Sequence, residues 1–495
     1  MPGPRRGVEG AAVRSTGLTA ALSLTAAQLS LHPQQPLPAL GQAPARPALA
    51  RLTHHHSGAI MTPPLDASYA GLERETASTV RALSLLPVHD FDAGLVAAVR
   101  RISPEDAAGH LTALTAAGLL ESPGFQELRG SLYRFASPEL RKQILEPAHG
   151  AEADNDEARD VLGQALGWAL SAATAADALV TPSHHRTLGI NPADLLHPPQ
   201  HPVHHADADS ALSWLTAQSE NLLALVRAAP LHGLDTYAWR IVYSMWPWWR
   251  AANRIDEWIE LHALALTRVG HDPSAGELAE RHLLGTYGLG LRMNEDPTAL
   301  HTFTRLREMA SQAGDALGEA QALCELGATH LQRGDATEAL PFLNRARAIR
   351  AEQGYERGVA LADILLGQAA LRLGPAETSE ALRRFGDART ALAGIDAHDA
   401  ARALAWLGRA QLQAGDFPAG ESALHAAVRE FLDERSPRQA ARCLEWLGNT
   451  AEDSGRISEA RAHYAQALTH YQAVNGADAD RVRDRLARLA PPRTA

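Results

Sequence analysis

The side chains that could do chemistry are few, and their spacing argues against most of it. The sequence has a single lysine, Lys142, within Arg141-Lys142-Gln143. The Gly-Lys-Ser/Thr loop that cradles nucleotide phosphates is therefore absent. So are a His-Glu-x-x-His zinc pair, a Gly-x-Ser-x-Gly nucleophile elbow and a paired-cysteine motif. The two cysteines, Cys324 and Cys443, are too few for a disulfide framework and lack metal-ligand spacing, which fits a reducing compartment. Six histidines (His184, His185, His197, His201, His204, His205) share residues 181–206 with five prolines. Prolines deny the regular spacing that a zinc site needs, so no metal is expected there. The acidic string Glu152-Ala153-Asp154-Asn155-Asp156-Glu157 lacks the glycine and closing glutamate of a calcium loop and reads as a helix start. A non-enzymatic protein without cofactor is the expectation.

The elements that position these residues are helical. The 495 residues carry a net charge of −11, with 45% hydrophobic, 21% charged and 5% aromatic residues. Globular values exclude global disorder, and the acidic balance disfavours generic nucleic-acid binding. Residues 1–60 read as a disordered tail ending in a triple histidine. Their apolar run from Gly17 to Leu31 is diluted by Ser23, Thr25, Gln28 and Ser30, which disfavours export, and Met61 is an alternative translation start. No membrane association and a cytoplasmic location are expected.

Residues 65–148 read as a small winged-helix-like domain. Helices are expected over Leu72 to Leu85, Asp92 to Arg101 and Pro104 to Ala117, the last started by the Ser103 cap and Pro104. A wing follows, with a turn around Pro123-Gly124. Between Asp66 and Glu146 there are 8 basic and 11 acidic side chains, and the candidate recognition helix has no Arg or Lys. DNA contact, which needs cations to neutralise phosphates, is disfavoured. Residues 152–270 read as a helical connector with helices over Asp156 to Val180, Asp209 to Ala228, Leu234 to Arg250 and Ile255 to Val269. The last three of these helices carry six of the nine tryptophans (Trp214, Trp239, Trp246, Trp248, Trp249, Trp258), and dense large rings at helical spacing predict core.

Residues 275–475 repeat. Gly288, Gly327, Gly367, Gly408 and Gly448 recur at intervals of 39, 40, 41 and 40. Seven residues after each comes a break between helices: Glu295-Asp296, Gly334-Asp335, Gly374-Pro375, Gly415-Asp416 and Gly455-Arg456. The small residue lets paired helices approach, and Ala339, Ala346, Ala427, Ala460 and Ala467 are expected to answer it from the second helix. About five tetratricopeptide-like repeats follow, the third with two extra residues after Gly374, and a capping helix over residues 477–490. The fold class is thus all-α: a small winged-helix domain, a helical connector, and a right-handed tetratricopeptide-repeat superhelix.

Stacked helix pairs leave a groove lined by the first helix of each unit. Helical spacing places Arg402 and Arg409 of the fourth unit, and Arg442, Glu445, Asn449 and Glu452 of the fifth, on its surface. Gln321, Cys324, Ala328, Leu361, Ile364 and Gln368 take the equivalent places in the second and third. The candidate binding residues are Gln321, Gln368, Arg402, Arg409, Arg442, Glu445 and Asn449. The groove is expected to be apolar toward the connector and charged toward the C-terminus, suited to an extended peptide or a helix with an acidic end.

Leu65-Asp66-Ala67-Ser68-Tyr69, the run from Leu83 to Asp92, Ala117-Gly118-Leu119-Leu120-Glu121, and Trp214-Leu215 followed by Glu220-Asn221-Leu222 resemble the C-terminal half of bacterial STAND regulators with an NB-ARC core. The resemblance spans residues 65 to 475. It implies a winged helix that packs on a nucleotide domain and repeats that sense a signal. The P-loop half is missing, and Phe135-Ala136-Ser137-Pro138 replaces the Phe-His-Asp by which that family's histidine reaches nucleotide. ATP hydrolysis and ADP binding are therefore not carried over. The expected function is a protein- or peptide-binding sensor or adaptor in signal transduction or transcriptional control. A separate P-loop ATPase or a transcription factor is a candidate partner; the alternative is a DNA-binding regulator gated by the repeats.

Overall fold

Ser103 accepts a hydrogen bond from the amide of Asp106 at 3.0 Å and is followed by Pro104. Among the twenty α-helices of the described residues, side chains of Asp92, Asp207, Asp315, Asp396 and Asp416 cap helix starts in the same way. The computed structural model describes residues 68–69, 71–145, 155–182, 196–252, 254–272, 275–472 and 476–489. The tail over residues 1–60, Met61, and His184 and His185 of the histidine loop lie outside them. No described helix is long and apolar enough to cross a membrane. The described chain divides into two compact units at Trp246/Pro247.

The first unit opens with α1 (Arg74–Leu85), α2 (Ala93–Arg100) and α3 (Pro104–Ala116), then a hairpin of β1 (Leu120–Gln126) and β2 (Gly130–Phe135), then α4 (Pro138–Leu145). Val80, Leu83, Leu95, Val96, Leu111 and Leu114 form its core, all fully buried. The strands are antiparallel, with Leu120 opposite Phe135. The hairpin does not turn at Pro123-Gly124. That pair is absorbed as an irregularity between Glu121 and Gly124, and the chain reverses at Glu127 to Arg129 instead. A bulge accommodates a proline without a ladder donor, so the same dipeptide that signals a turn is also stable within a strand.

Helices α5 (Asn155–Val180), α6 (Ala208–Ala228) and α7 (Asp235–Ser244) complete this unit. Arg129, at the hairpin's reversal, is buried. Its Nε donates to Asp92 at 2.9 Å, its Nη2 to Asp90, and its Nη1 to the Ala217 carbonyl of α6 at 3.2 Å. Gln218 and Asn221 of α6 donate to Asp92 and Asp90 at 2.7 and 3.1 Å. Asp92 also caps α2 through the Leu95 amide. The hairpin is therefore pinned to α6 by a buried, fully bonded ion network. Trp168 and Trp214 pack edge to face at 5.5 Å.

The segment expected as one helix from Leu234 to Arg250 is two. α7 ends at Ser244, Met245 leaves helical geometry, and α8 (Trp246–Ala252) begins with Pro247 in its first turn. A proline lacks the amide that would continue α7, but is suited to a helix start.

The second unit continues through α9 (Ile255–Val269), in which Trp258 is buried with Trp248 and Trp249. Five antiparallel pairs follow: α10 (Gly276–Met293) with α11 (Ala299–Gln312), α12 (Ala316–Gln332) with α13 (Ala336–Glu352), α14 (Glu356–Leu373) with α15 (Thr378–Leu392), α16 (Ala397–Gln413) with α17 (Phe417–Asp433), and α18 (Pro437–Asp453) with α19 (Ile457–Gln472). α20 (Gly476–Arg488) ends the array. The extra residues of the third pair form a 3₁₀ turn, Pro375–Glu377. Each first helix touches the next first helix (α10 with α12, α12 with α14, α14 with α16, α16 with α18). The array is an all-α repeat superhelix of the tetratricopeptide kind, with the first helices on the inside of the curve.

The glycine period has a steric cause. A Cβ on Gly288 would lie 2.6 Å from Phe303, on Gly327 2.5 Å from Leu343, on Gly367 2.7 Å from Phe385, and on Gly448 2.6 Å from Tyr464. The partner that fills each notch is thus a large side chain, where alanines alone were expected. The alanines flank it one turn away on either side: Ala339 and Ala346 around Leu343, Ala460 and Ala467 around Tyr464, all fully buried. The second helices read small, large, small, a knob seated in the glycine hole.

Candidate functional site

Four positions of each first helix share the inner face: six and two residues before the glycine, one and five after it. They read Gln321, Glu325, Ala328 and Gln332 on α12; Leu361, Leu365, Gln368 and Arg372 on α14; Arg402, Trp406, Arg409 and Gln413 on α16; and Arg442, Trp446, Asn449 and Asp453 on α18. Most of them line a groove of about 690 Å³.

The expected polarity is corrected at the α12 end, which is polar and internally neutralised. Gln321 donates to Glu325 at 2.8 Å and accepts from Arg350 at 2.7 Å, while Arg292 pairs with Glu325 at 3.2 Å. Ile364 is fully buried in core, beside Asp363, which pairs with Arg347 and Arg384. Gln368 is partly exposed on the inner face. Arg402 pairs with the buried Asp399 at 3.3 Å, and Arg357 holds the same carboxylate. The α18 end is closed by α20: Arg481 and Tyr471 bind Glu445, Arg485 and Tyr464 bind Asn449, and Asp478 holds Arg438 at 3.2 Å. Of the seven sequence-predicted residues, Gln321, Arg402, Glu445 and Asn449 are therefore engaged by the chain itself.

Arg409 and Arg442 are different. Trp406 and Trp446 stand side by side, ring centroids 5.0 Å apart. The Arg409 guanidinium lies over both rings, at 5.1 and 4.8 Å, and that of Arg442 over the same two, at 5.7 and 5.3 Å. Arg372 joins them from α14, bonded only weakly to the Gln368 carbonyl at 3.4 Å. Among the described residues none of the three has a carboxylate within ion-pairing distance. Each remains open to solvent, yet the concave wall strips hydration and like charges face one another. Arg409 is pushed down to about 10, first by this desolvation and then by Arg442 and Arg372. Arg372 is lowered by desolvation and then by Arg442, and Arg442 chiefly by desolvation. The centre of the groove is a cationic patch on an indole floor, with no carboxylate in ion-pairing contact among the described residues.

Sequence reasoning missed Arg372, Trp406 and Trp446. The signal was available: the residue two before each repeat glycine is Glu325, Leu365, Trp406 and Trp446 in turn, one helical turn from the arginines already singled out.

In the described part of the histidine loop, His197 bonds the Tyr237 hydroxyl at 3.0 Å through both its amide and Nδ1, and His205 bonds the Ala172 carbonyl at 3.1 Å. Among the described residues no group of three or more His, Cys, Asp or Glu is placed to hold a metal ion.

No protein-family model matches the chain, and no curated protein matches it. Solved structures similar to it include a Rap protein complexed with competence and sporulation factor, at 12% identity, covering 57% of this chain and 82% of that one with a TM-score of 0.42. The apo form of RapI is similar at 12% identity, covering 53% and 96%, with a TM-score of 0.43. A STAND protein with a tetratricopeptide repeat sensor from Pyrococcus horikoshii is similar at 12% identity, covering 89% and 71%, with a TM-score of 0.38.

Proposed function

We propose that this protein is a non-enzymatic, cytoplasmic sensor or adaptor that binds an acidic peptide or protein segment in the inner groove of its repeats. The observation that carries the reading is the cluster of Arg372, Arg409 and Arg442 on Trp406 and Trp446, which has no carboxylate within ion-pairing distance among the described residues. Self-repulsion of this kind is relieved when a ligand brings the missing charge. Arg409, even pushed down to about 10, keeps its proton at neutral pH, so it binds anions and does not exchange protons with a substrate.

The regulatory part of the reading is that the three helices and hairpin of residues 74–135 form a winged helix that acts through a partner, such as a separate P-loop ATPase or a transcription factor. Two features favour protein packing over DNA contact. α3 carries Glu105 and Asp106 and no Arg or Lys, and Arg129 at the hairpin reversal is used up inside the protein. Affinity purification with the wild-type chain and with Arg409→Glu/Arg442→Glu tests the proposal. Arg402 is left unchanged because reversing it would strand the buried Asp399. Loss of partners from the variant is expected; identical partner sets contradict it.

A further inference from the structure

The chemistry of the ligand can be narrowed, on the reading that the groove binds one. Arg409 and Arg442 lie over two indole rings, within 5.7 Å of each centroid. A guanidinium's five N–H donors lie in its plane, so stacking occupies its face and leaves its edges to a ligand. Arg372 adds a third such group from the adjacent helix, and none of the three has a carboxylate partner among the described residues. One carboxylate supplies a single negative charge and two acceptor oxygens. A phosphomonoester supplies about −1.5 to −2 and three terminal acceptors. Three mutually repelling guanidiniums gathered from the first helices of three successive pairs match the second anion in both charge and number of acceptors.

We propose that Arg372, Arg409 and Arg442, backed by Trp406 and Trp446, form a phosphate-binding subsite for a phosphomonoester group on the groove's ligand. Arg438 and Arg481 at the α20 end are not part of it, since Asp478 and Glu445 already hold them.

The test is calorimetric titration of the full chain at low salt with four probes: inorganic phosphate, a short phosphoserine peptide, the same peptide with glutamate in that place, and AMP. The phosphoserine peptide should bind at least about tenfold more tightly than the glutamate peptide, weaken as salt rises, and lose about tenfold or more with Arg409→Gln and with Arg442→Gln. Both variants should keep the wild-type urea midpoint or exceed it, because each removes a repelling charge. Arg372→Gln provides a third, independent variant. Equal affinity for the glutamate peptide overturns the phosphate subsite and leaves the acidic-peptide reading standing. Binding of AMP with no binding of the phosphoserine peptide supports the subsite and overturns a polypeptide ligand. Absence of binding by every phosphate-bearing probe, or affinities unchanged in the glutamine variants, overturns the subsite outright.

Discussion

Glycines 367 and 386 belong to one helix pair, and the same substitution at each should have opposite effects. In a helix, Gly→Ala gains about 1 kcal/mol from backbone propensity alone. At Gly386 an added methyl meets nothing within 4 Å, so Gly386→Ala should stabilise by roughly that amount. At Gly367 the methyl would lie 2.7 and 2.8 Å from two ring carbons of the fully buried Phe385. Ordinary contact begins several tenths of an ångström further out, so the ring or the helix must shift. Such overpacking costs about 1–3 kcal/mol, which over nearly all of that range outweighs the propensity gain and leaves a net loss of up to about 2 kcal/mol. Urea denaturation of the two variants, followed by far-UV circular dichroism with the slope checked for constancy, measures the difference. The two midpoints should move in opposite directions. A Gly367→Ala chain as stable as Gly386→Ala would refute the claim that glycine notches set the spacing of the paired helices.

Arg129→Ala strands Asp92, only 3% exposed, together with Asp90. It should destabilise the first unit by about 3–5 kcal/mol, read as faster limited proteolysis after Arg134 while the repeats stay protected; unchanged cleavage would show that the hairpin is not pinned there. Burial holds the imidazole of His262 down to about 4, and burial with Arg250 beside it does the same to His398. Unfolded histidines titrate near 6.5, so between these values the unfolded chain takes up the protons. Stability should be complete above about pH 6.5 and fall as pH drops toward about 4, by up to ~1.4 kcal/mol per pH unit for each histidine. His262→Phe should flatten that acid limb in a thermal-melt series, and an unaltered limb would assign it to other groups.

Much of the architecture is legible in the sequence because backbone chemistry is local. Ser103-Pro104 starts a helix by capping, and the glycines from Gly288 to Gly448 announce a repeat because a side chain there collides with the opposite helix. What is not legible depends on choices that neighbours make. Pro123-Gly124 permits either a turn or a bulge, and the anchoring of Arg129 in Asp90 and Asp92 places the reversal further on. Arg402 and Arg409 stand on one face of one helix, but only the fold reveals that Asp399 pairs with the first and that no described carboxylate pairs with the second. Glu445 and Asn449 show the same limit: both have groove spacing, yet α20 folds back and holds them. Spacing reports which face a residue occupies, whereas its pairing is decided by elements far along the chain.

The central claim is that an uncompensated cationic patch on the inner curve holds an anionic ligand. Its most direct test is the affinity of an acidic peptide, selected by array on the wild-type chain, for Arg409→Glu/Arg442→Glu at matched salt. Reversing two charges that face the ligand should weaken binding by about a hundredfold or more, with the circular dichroism spectrum unchanged. Equal affinity in a folded variant would contradict the account.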